Sequence, residues 1–330
     1  MLEHGGRLRA AARHWGIPLG DWLDLSTGIA PDGYPVPAPS AASWRCLPED
    51  GDGLEEAASA YYGSSRLLAL PGSQAAILAL PRLRPTGATV AILTPTYGEY
   101  APAWQAAGHA VLRFAAAELE TAAADCDVVM LANPNNPTGE RFARERLLAA
   151  ADVLHQRGGK LIVDEAFADA DDSESLAAVA GSAAASNVVV LRSLGKFFGL
   201  AGARVGFTIG RPPLLEMLAA AIGPWAVAHP AREAARAALS DAAWQGGQRQ
   251  RLQLASARLA RLLDAAGFGA AAGTALFRYA ITPRAAEIQA ALARQGILVR
   301  LFAEPAALRF GLPGTEPEWE RLAAALGRAA

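Results

Sequence analysis

Residues 161–196 read LIVDEAFADADDSESLAAVAGSAAASNVVVLRSLGK, and this stretch decides the fold. Leu161–Val163 and Val188–Leu191 are apolar at every position. Unbroken rather than alternating apolarity is what a strand shows when both faces of its sheet are covered. Each run ends in chemistry: Asp164 closes the first, and Ser193 and Lys196 follow the second. In open α/β sheets, ligands bind at the carboxyl ends of the strands.

The same pattern extends outward. Leu67–Leu70, Thr89–Leu93, Val111–Phe114 and Val128–Leu131 read as further strands. Gly72-Ser73-Gln74 reads as a turn before a helix over Ala75–Leu83, and Tyr97–Ala107 and Ala143–Arg157 read as helices. Strands alternating with helices predict an α/β fold whose mainly parallel sheet is flanked by helices. Past Gly210 the pattern changes. Pro212–Ile222 reads as a helix that Gly223-Pro224 ends, and Ala231–Ala266 as a long helical stretch interrupted at Gly246-Gly247. Strands over Ala275–Ile281, Ile297–Leu301 and Ala307–Leu312, with helices over Pro283–Gln295 and Pro317–Arg328, make a smaller α+β unit. The expected organisation is an N-terminal segment (1–35) packing on the small domain and active site, a large domain (36–222) and a small C-terminal domain (223–330).

Composition narrows the function. The 330 residues carry a formal charge of −2, and no basic stripe marks a nucleic-acid surface. The most apolar stretches are broken by polar residues or proline, so no membrane span is expected, and Arg7, Arg9 and Arg13 argue against a secretory signal. A cytoplasmic protein is the expectation. Cys46 and Cys126 form no disulfide framework, and five scattered histidines give no metal site. His109 and His155 read as surface residues. Among 30 basic residues only Lys160 and Lys196 are lysines. Arginine keeps its proton near neutral pH and cannot serve as an amine nucleophile, so in an arginine-dominated chain a lysine draws notice for its amine. Lys160 reads as a solvated residue at a strand start.

Taken alone, Asp164 and Lys196 are a salt bridge as readily as a site. The strand ends also carry Gly72-Ser73-Gln74, Tyr97, the Asn-Pro-rich segment at 133–139 and Arg204, and jointly these suit pyridoxal 5'-phosphate. That cofactor needs a lysine amine for its aldehyde and an acid for its ring nitrogen. It also needs a phosphate cradle, which a glycine turn at a helix start supplies through backbone N–H groups, with a hydroxyl and a guanidinium beside it.

The chain resembles the fold-type I, pyridoxal-phosphate-dependent enzymes of the class I/II aminotransferase superfamily. The resemblance rests on Asn133-Pro134-Asn135-Asn136-Pro137-Thr138-Gly139, Asp164-Glu165-Ala166-Phe167, Ser193-Leu194-Gly195-Lys196 and Gly202-Ala203-Arg204-Val205-Gly206-Phe207, in the family's order. It implies that Lys196 holds the cofactor aldehyde, Asp164 pairs with the ring nitrogen and Asn136 bonds the ring oxygen. Gly72, Ser73, Gln74, Ser193 and Arg204 would hold the phosphate, Tyr97 would stack on the ring, and Arg309 would grip the substrate carboxylate. Relatives are homodimers, so a homodimer is expected. Phe167 stands where the family often has tyrosine, whose hydroxyl would reach the ring oxygen.

The N-terminus is similar to the threonine-phosphate decarboxylase family of the cobalamin pathway, which opens with His-Gly-Gly and carries a Ser-Thr-Gly-Ile-type segment. Here these are His4-Gly5-Gly6 and Ser26-Thr27-Gly28-Ile29. That resemblance implies decarboxylation of L-threonine O-3-phosphate. His4, Gly5, Gly6, Thr27, Gly28, Asn136, Arg300 and Arg309 would be the substrate contacts of this small phosphorylated amino acid. A histidinol-phosphate-type aminotransferase is the alternative, using the same groups to break a Cα–H bond instead.

Overall fold

The computed structural model describes residues 4–329, which form two compact units. The chain opens with α1 (Leu8–Trp15), β1 (Leu23–Leu25), α2 (Leu54–Tyr62), β2 (Leu67–Leu70), α3 (Ser73–Ala79), β3 (Thr89–Leu93) and α4 (Tyr100–Ala106). It continues through β4 (Ala110–Phe114), α5 (Leu119–Asp125), β5 (Val128–Ala132), α6 (Arg144–Gln156), β6 (Lys160–Asp164), β7 (Val188–Ser193), β8 (Gly206–Ile209), α7 (Pro212–Ile222) and α8 (His229–Ser240). It closes with α9 (Ala242–Ala265), β9 (Ala272–Thr274), β10 (Phe277–Ile281), α10 (Ala285–Ala293), β11 (Ile297–Phe302), β12 (Ala307–Gly311) and α11 (Glu316–Ala329).

The larger unit comprises residues 34–136 and 141–246. Its seven strands lie in the order β2-β8-β7-β6-β5-β3-β4, and all pairs are parallel except the two that β8 makes. β5 is buried along its whole length, which its Val-Val-Met-Leu-Ala sequence permits because both faces are covered. Alternate residues share a face. Val90 and Ile92, Val128 and Met130, Ile162, and Val189 and Leu191 therefore meet one apolar cluster with Ile77 of α3, Tyr100 and Trp104 of α4 and Leu218 of α7. His109, expected at the surface, is buried. Its Nδ1 accepts from the Ala88 amide at 3.3 Å and its Nε2 lies 2.8 Å from the Pro81 carbonyl.

Sequence placed the second boundary at 222/223, whereas the compact larger unit runs on to Gly246. Arg232 of α8 accounts for the difference. Its guanidinium bonds Asp52 at 2.7 and 2.8 Å and Glu55 of α2 at 2.7 Å. The helical break also lies earlier than expected. It falls at Asp241, whose carboxylate accepts from the Trp244 amide at 2.9 Å and so caps α9, while Gly246-Gly247 continue inside the helix.

The smaller unit comprises residues up to Gly33, 137–140 and 247 onward. Its five-stranded sheet has the order β1-β11-β12-β10-β9. β1 pairs parallel to β11, with Leu23 opposite Ile297 and Leu25 opposite Val299, and so ties the N-terminal segment into this sheet. β11 and β12 are antiparallel, which sets Arg300 directly opposite Arg309. The unit is closed by buried Phe277, Ile288, Leu292, Phe310, Trp319 and Leu322.

Candidate active site

Asp164 is the last residue of β6 and Ser193 the last of β7, so adjacent parallel strands deliver a carboxylate and a hydroxyl to one end of the sheet. A single pocket there is lined by Gly72, Ser73, Gln74, Tyr97, Asn136, Asp164, Ser193, Lys196 and Arg204, which are all the residues that sequence assigned to a cofactor. Ile77, Tyr100, Ala132, Ala166 and Phe167 complete its wall.

The β2–α3 junction shows how the chain builds a cradle. Gly72 has φ +78, and the first intrahelical bond of the following turn runs from the Ala75 amide to the Gly72 carbonyl. The Ser73 and Gln74 amides thus precede the helical ladder. A Cβ at Gly72 would come within 2.8 Å of the Arg204 guanidinium, and one at Gly206 within 2.6 Å of the Ser73 amide nitrogen. At Gly72 a side chain would crowd the guanidinium, and at Gly206 it would overlap the backbone at Ser73, so glycine at both positions lets these segments pack closely. Arg204 is left-handed (φ 54) without being glycine, a strained conformation of the kind that collects at functional sites. Its Nη1 donates to the Ala201 carbonyl at 3.3 Å.

Packing fixes the walls. The Tyr97 hydroxyl donates to the Gln74 side-chain carbonyl at 3.1 Å, so the Gln74 side chain here serves the tyrosine. Asn133 bonds Phe142 in both directions, its amide to the carbonyl at 3.1 Å and its oxygen from the backbone amide at 3.0 Å. Asn135 accepts from Thr96 at 2.9 Å and donates to the Pro95 carbonyl at 2.9 Å. These contacts hold the loop that presents Asn136 to the pocket. Lys196 Nζ lies 5.6 Å from the centre of the Phe167 ring, so phenylalanine gives the amine an aromatic floor rather than a hydroxyl.

Asp164 is 6% exposed. Burial raises its pKa, against the Tyr100 hydrogen bond, the Ala166 amide and the charges of Lys196 and Arg192. Behind it, Arg192 is buried with Glu165 at 2.7 Å and Asp169 at 2.5 Å, and its guanidinium lies over the Tyr62 ring. Glu165 also accepts from Ser175 at 2.5 Å and the Leu176 amide at 2.7 Å. This buried network joins the ends of β6 and β7 next to Asp164 and Ser193. Sequence reasoning missed both it and Tyr100. The available signal for Tyr100 was its place one helical turn after Tyr97.

The smaller unit gathers most of the residues read as substrate contacts. A Cβ at Gly5 would collide with the Ser26 carbonyl at 2.2 Å, and the Gly6 amide donates to Ser26 Oγ at 2.8 Å. His4-Gly5-Gly6 is therefore laid against Ser26-Thr27, with Gly28 buried just beyond and His4 exposed. Asp24 fixes Ser26 through its hydroxyl at 2.6 Å and its amide at 2.9 Å. Arg309 Nη2 donates to the Ser26 carbonyl at 2.9 Å. Burial and then the facing Arg300 lower the Arg309 pKa to about 10, with Asp24 opposing, so the guanidinium stays charged at neutral pH. Two like charges opposite each other on a ladder repel, and an anion relieves that repulsion. Asn136 lies with the larger unit's pocket.

The fold is the α/β architecture of fold-type I transferases. Residues 46–326 match the family model for aminotransferase class I and II, and the chain belongs to that family. It is 53% identical over 326 residues to a Pseudomonas aeruginosa protein named threonine-phosphate decarboxylase, covering 99% of this chain and 97% of that one. A Sinorhizobium protein of the same name is 43% identical over 337 residues, covering 99% and 98%. Among solved structures, histidinol-phosphate aminotransferase from Sinorhizobium meliloti in complex with pyridoxal-5'-phosphate superposes with a TM-score of 0.85 at 23% identity, covering 99% and 95%. No helix among the described residues is long and apolar enough to cross a membrane.

Proposed function

We propose that this chain is a pyridoxal-phosphate-dependent enzyme that decarboxylates L-threonine O-3-phosphate to (R)-1-amino-2-propanol O-phosphate. The observation that carries the reading is the 53% identity, over 99% of the chain, to a protein named for that reaction. The larger unit's pocket fits the cofactor on its own terms. It holds one amine, one buried carboxylate, a hydroxyl, a guanidinium and the opening amides of a helix, with Gly72 keeping a side chain out of the space beside that guanidinium.

Lys196 would hold the cofactor's aldehyde and Asp164 its ring nitrogen. Ser73, Gln74, Ser193 and Arg204 would hold the phosphate over Gly72, with Asn136 at the ring oxygen and Tyr97 on the ring face. When bound, the cofactor supplies an electron sink for the pair left at Cα as carbon dioxide departs. Arg309 would orient the substrate carboxylate, and Lys196 Nζ would return a proton to Cα. His4, Gly5, Gly6, Thr27, Gly28 and Arg300 would receive the second anion, where glycine backbone lets a phosphate approach N–H groups closely. We also infer a cytoplasmic homodimer. Exposed Trp44, Leu47 and Trp225 give the larger unit apolar surface for a partner, and an exposed free thiol at Cys46 suits a reducing compartment.

The test is to supply threonine phosphate and measure carbon dioxide and aminopropanol phosphate. The rival assay offers histidinol phosphate with 2-oxoglutarate and measures glutamate. Carbon dioxide release without glutamate formation is expected; glutamate formation alone would replace this reading with an aminotransferase.

Arg309→Met separates substrate from cofactor binding. The expected result is a KM for threonine phosphate raised by about 30-fold, corresponding to a charge-assisted hydrogen bond of about 2 kcal/mol. Cofactor uptake should be unchanged, because the residues assigned to it lie in the other unit. Steady-state kinetics and a cofactor titration check both halves.

A further inference from the structure

Tyr100 stands in the pocket wall without a place in the scheme above. It opens α4, is 1% exposed and packs among Ile77, Ile92, Trp104 and Ile162. Its hydroxyl lies 2.7 Å from Asp164 Oδ2, while Asp164 Oδ1 accepts from the Ala166 amide at 3.0 Å. Each carboxylate oxygen thus has a fixed donor. The direction of the Tyr100 bond is also fixed. Burial and the neighbouring carboxylate hold the phenol far from ionisation, so it keeps its proton and donates it.

We infer that Tyr100 is a positioning residue for the cofactor's ring nitrogen, acting through Asp164 by keeping that buried carboxylate ionised and aimed into the pocket. The inference rests on the cofactor reading above. A carboxylate can neutralise a protonated ring nitrogen only in its charged form, and burial works against that form. The charged or titratable groups acting on Asp164 are Tyr100 on the α4 side, itself in ring contact with Tyr97, and Arg192 and Lys196 on the β7 side. Arg192 is already committed to Glu165 and Asp169. Lys196 is to be engaged by the cofactor. Among these side chains Tyr100 is the donor left to hold Asp164 in both states of the pocket, alongside the Ala166 amide. The apolar packing around its ring keeps the hydroxyl in place.

The test is a double-mutant cycle read by cofactor affinity rather than turnover. Full-length wild type, Tyr100→Phe, Asp164→Asn and the double variant are stripped of cofactor and titrated with pyridoxal 5'-phosphate, following visible absorbance and tryptophan fluorescence. Phenylalanine keeps the ring and its packing. With Asp164 in place, losing the hydroxyl should weaken binding by about 10-fold, equivalent to about 1.4 kcal/mol. In the Asp164→Asn background, where the partner is a neutral amide, the same loss should cost less than about 2-fold. An equal loss in both backgrounds would mean that Tyr100 only supports the fold, and no loss beside Asp164 would mean that its hydroxyl is idle; either overturns the inference alone. Wild type that takes up no cofactor removes the cofactor reading and this inference together.

Discussion

Replacing Lys196 with alanine leaves a folded protein with turnover reduced by at least about 10⁴-fold, on the scale at which a positioned proton-transfer group and a covalent anchor contribute to a rate. The loss is that large because no other lysine can substitute. Lys160, the second of the two, begins β6, while Asp164 ends it. Four residue steps at about 3.3 Å place the two backbones about 13 Å apart along the strand. Lys196→Arg should be equally inactive. It keeps the positive charge beside Asp164 and above Phe167, but it cannot release a proton to act as an amine. The arginine variant therefore separates charge from nucleophilicity. Both variants should lose the visible absorbance that wild type develops with pyridoxal phosphate, while circular dichroism stays unchanged. Turnover above a few per cent in either would move the chemistry to another group.

Much of the larger unit was legible because burial on both faces writes a simple signal. β3, β5, β6 and β7 are short apolar runs whose ends fall within a residue or two of where the sequence places them. The residues at their carboxyl ends then follow from topology, and all nine assigned to the cofactor line one pocket. β8 was not read as a strand, because Gly206–Ile209 is only four residues long and lies against the Arg204 turn. The end of α8 was misplaced because a glycine pair is a louder breaker than one aspartate, yet Asp241 has the side-chain oxygen that caps and the glycines do not. His109 was put outside because an isolated polar residue carries no periodicity, although its two ring nitrogens both find backbone partners inside. Tyr100 and the Arg192 network were hidden for another reason. Tyr100 lies 64 residues from Asp164, and Arg192 lies 27 and 23 residues from Glu165 and Asp169, and no local pattern records such pairs.

Asp164→Asn is the second large effect, and it should separate function from stability. Turnover is expected to fall by about 10³-fold, the scale for removing one preorganised charge that stabilises a transition state. The cofactor-free protein should nevertheless be no less stable than wild type at pH 8. The sign follows from burial. It raises the folded pKa of Asp164 above the ordinary carboxylate value, so between the unfolded and folded values the folded state binds the extra proton. Stability then declines as pH rises through that window, and above it the full cost of a buried charge is present. Asparagine has no such titration. Its oxygen still accepts a hydrogen bond, so the Tyr100 hydroxyl or the Ala166 amide keeps a partner. The advantage of the variant over wild type should therefore grow as pH rises above the ordinary carboxylate value in thermal unfolding of the cofactor-free proteins. It should shrink or reverse once pyridoxal phosphate is added, because only the carboxylate can offset a protonated ring nitrogen. A variant that is both inactive and markedly less stable without cofactor, at every pH, would show that Asp164 is a structural anchor of β6, and that its charge is not held there for chemistry.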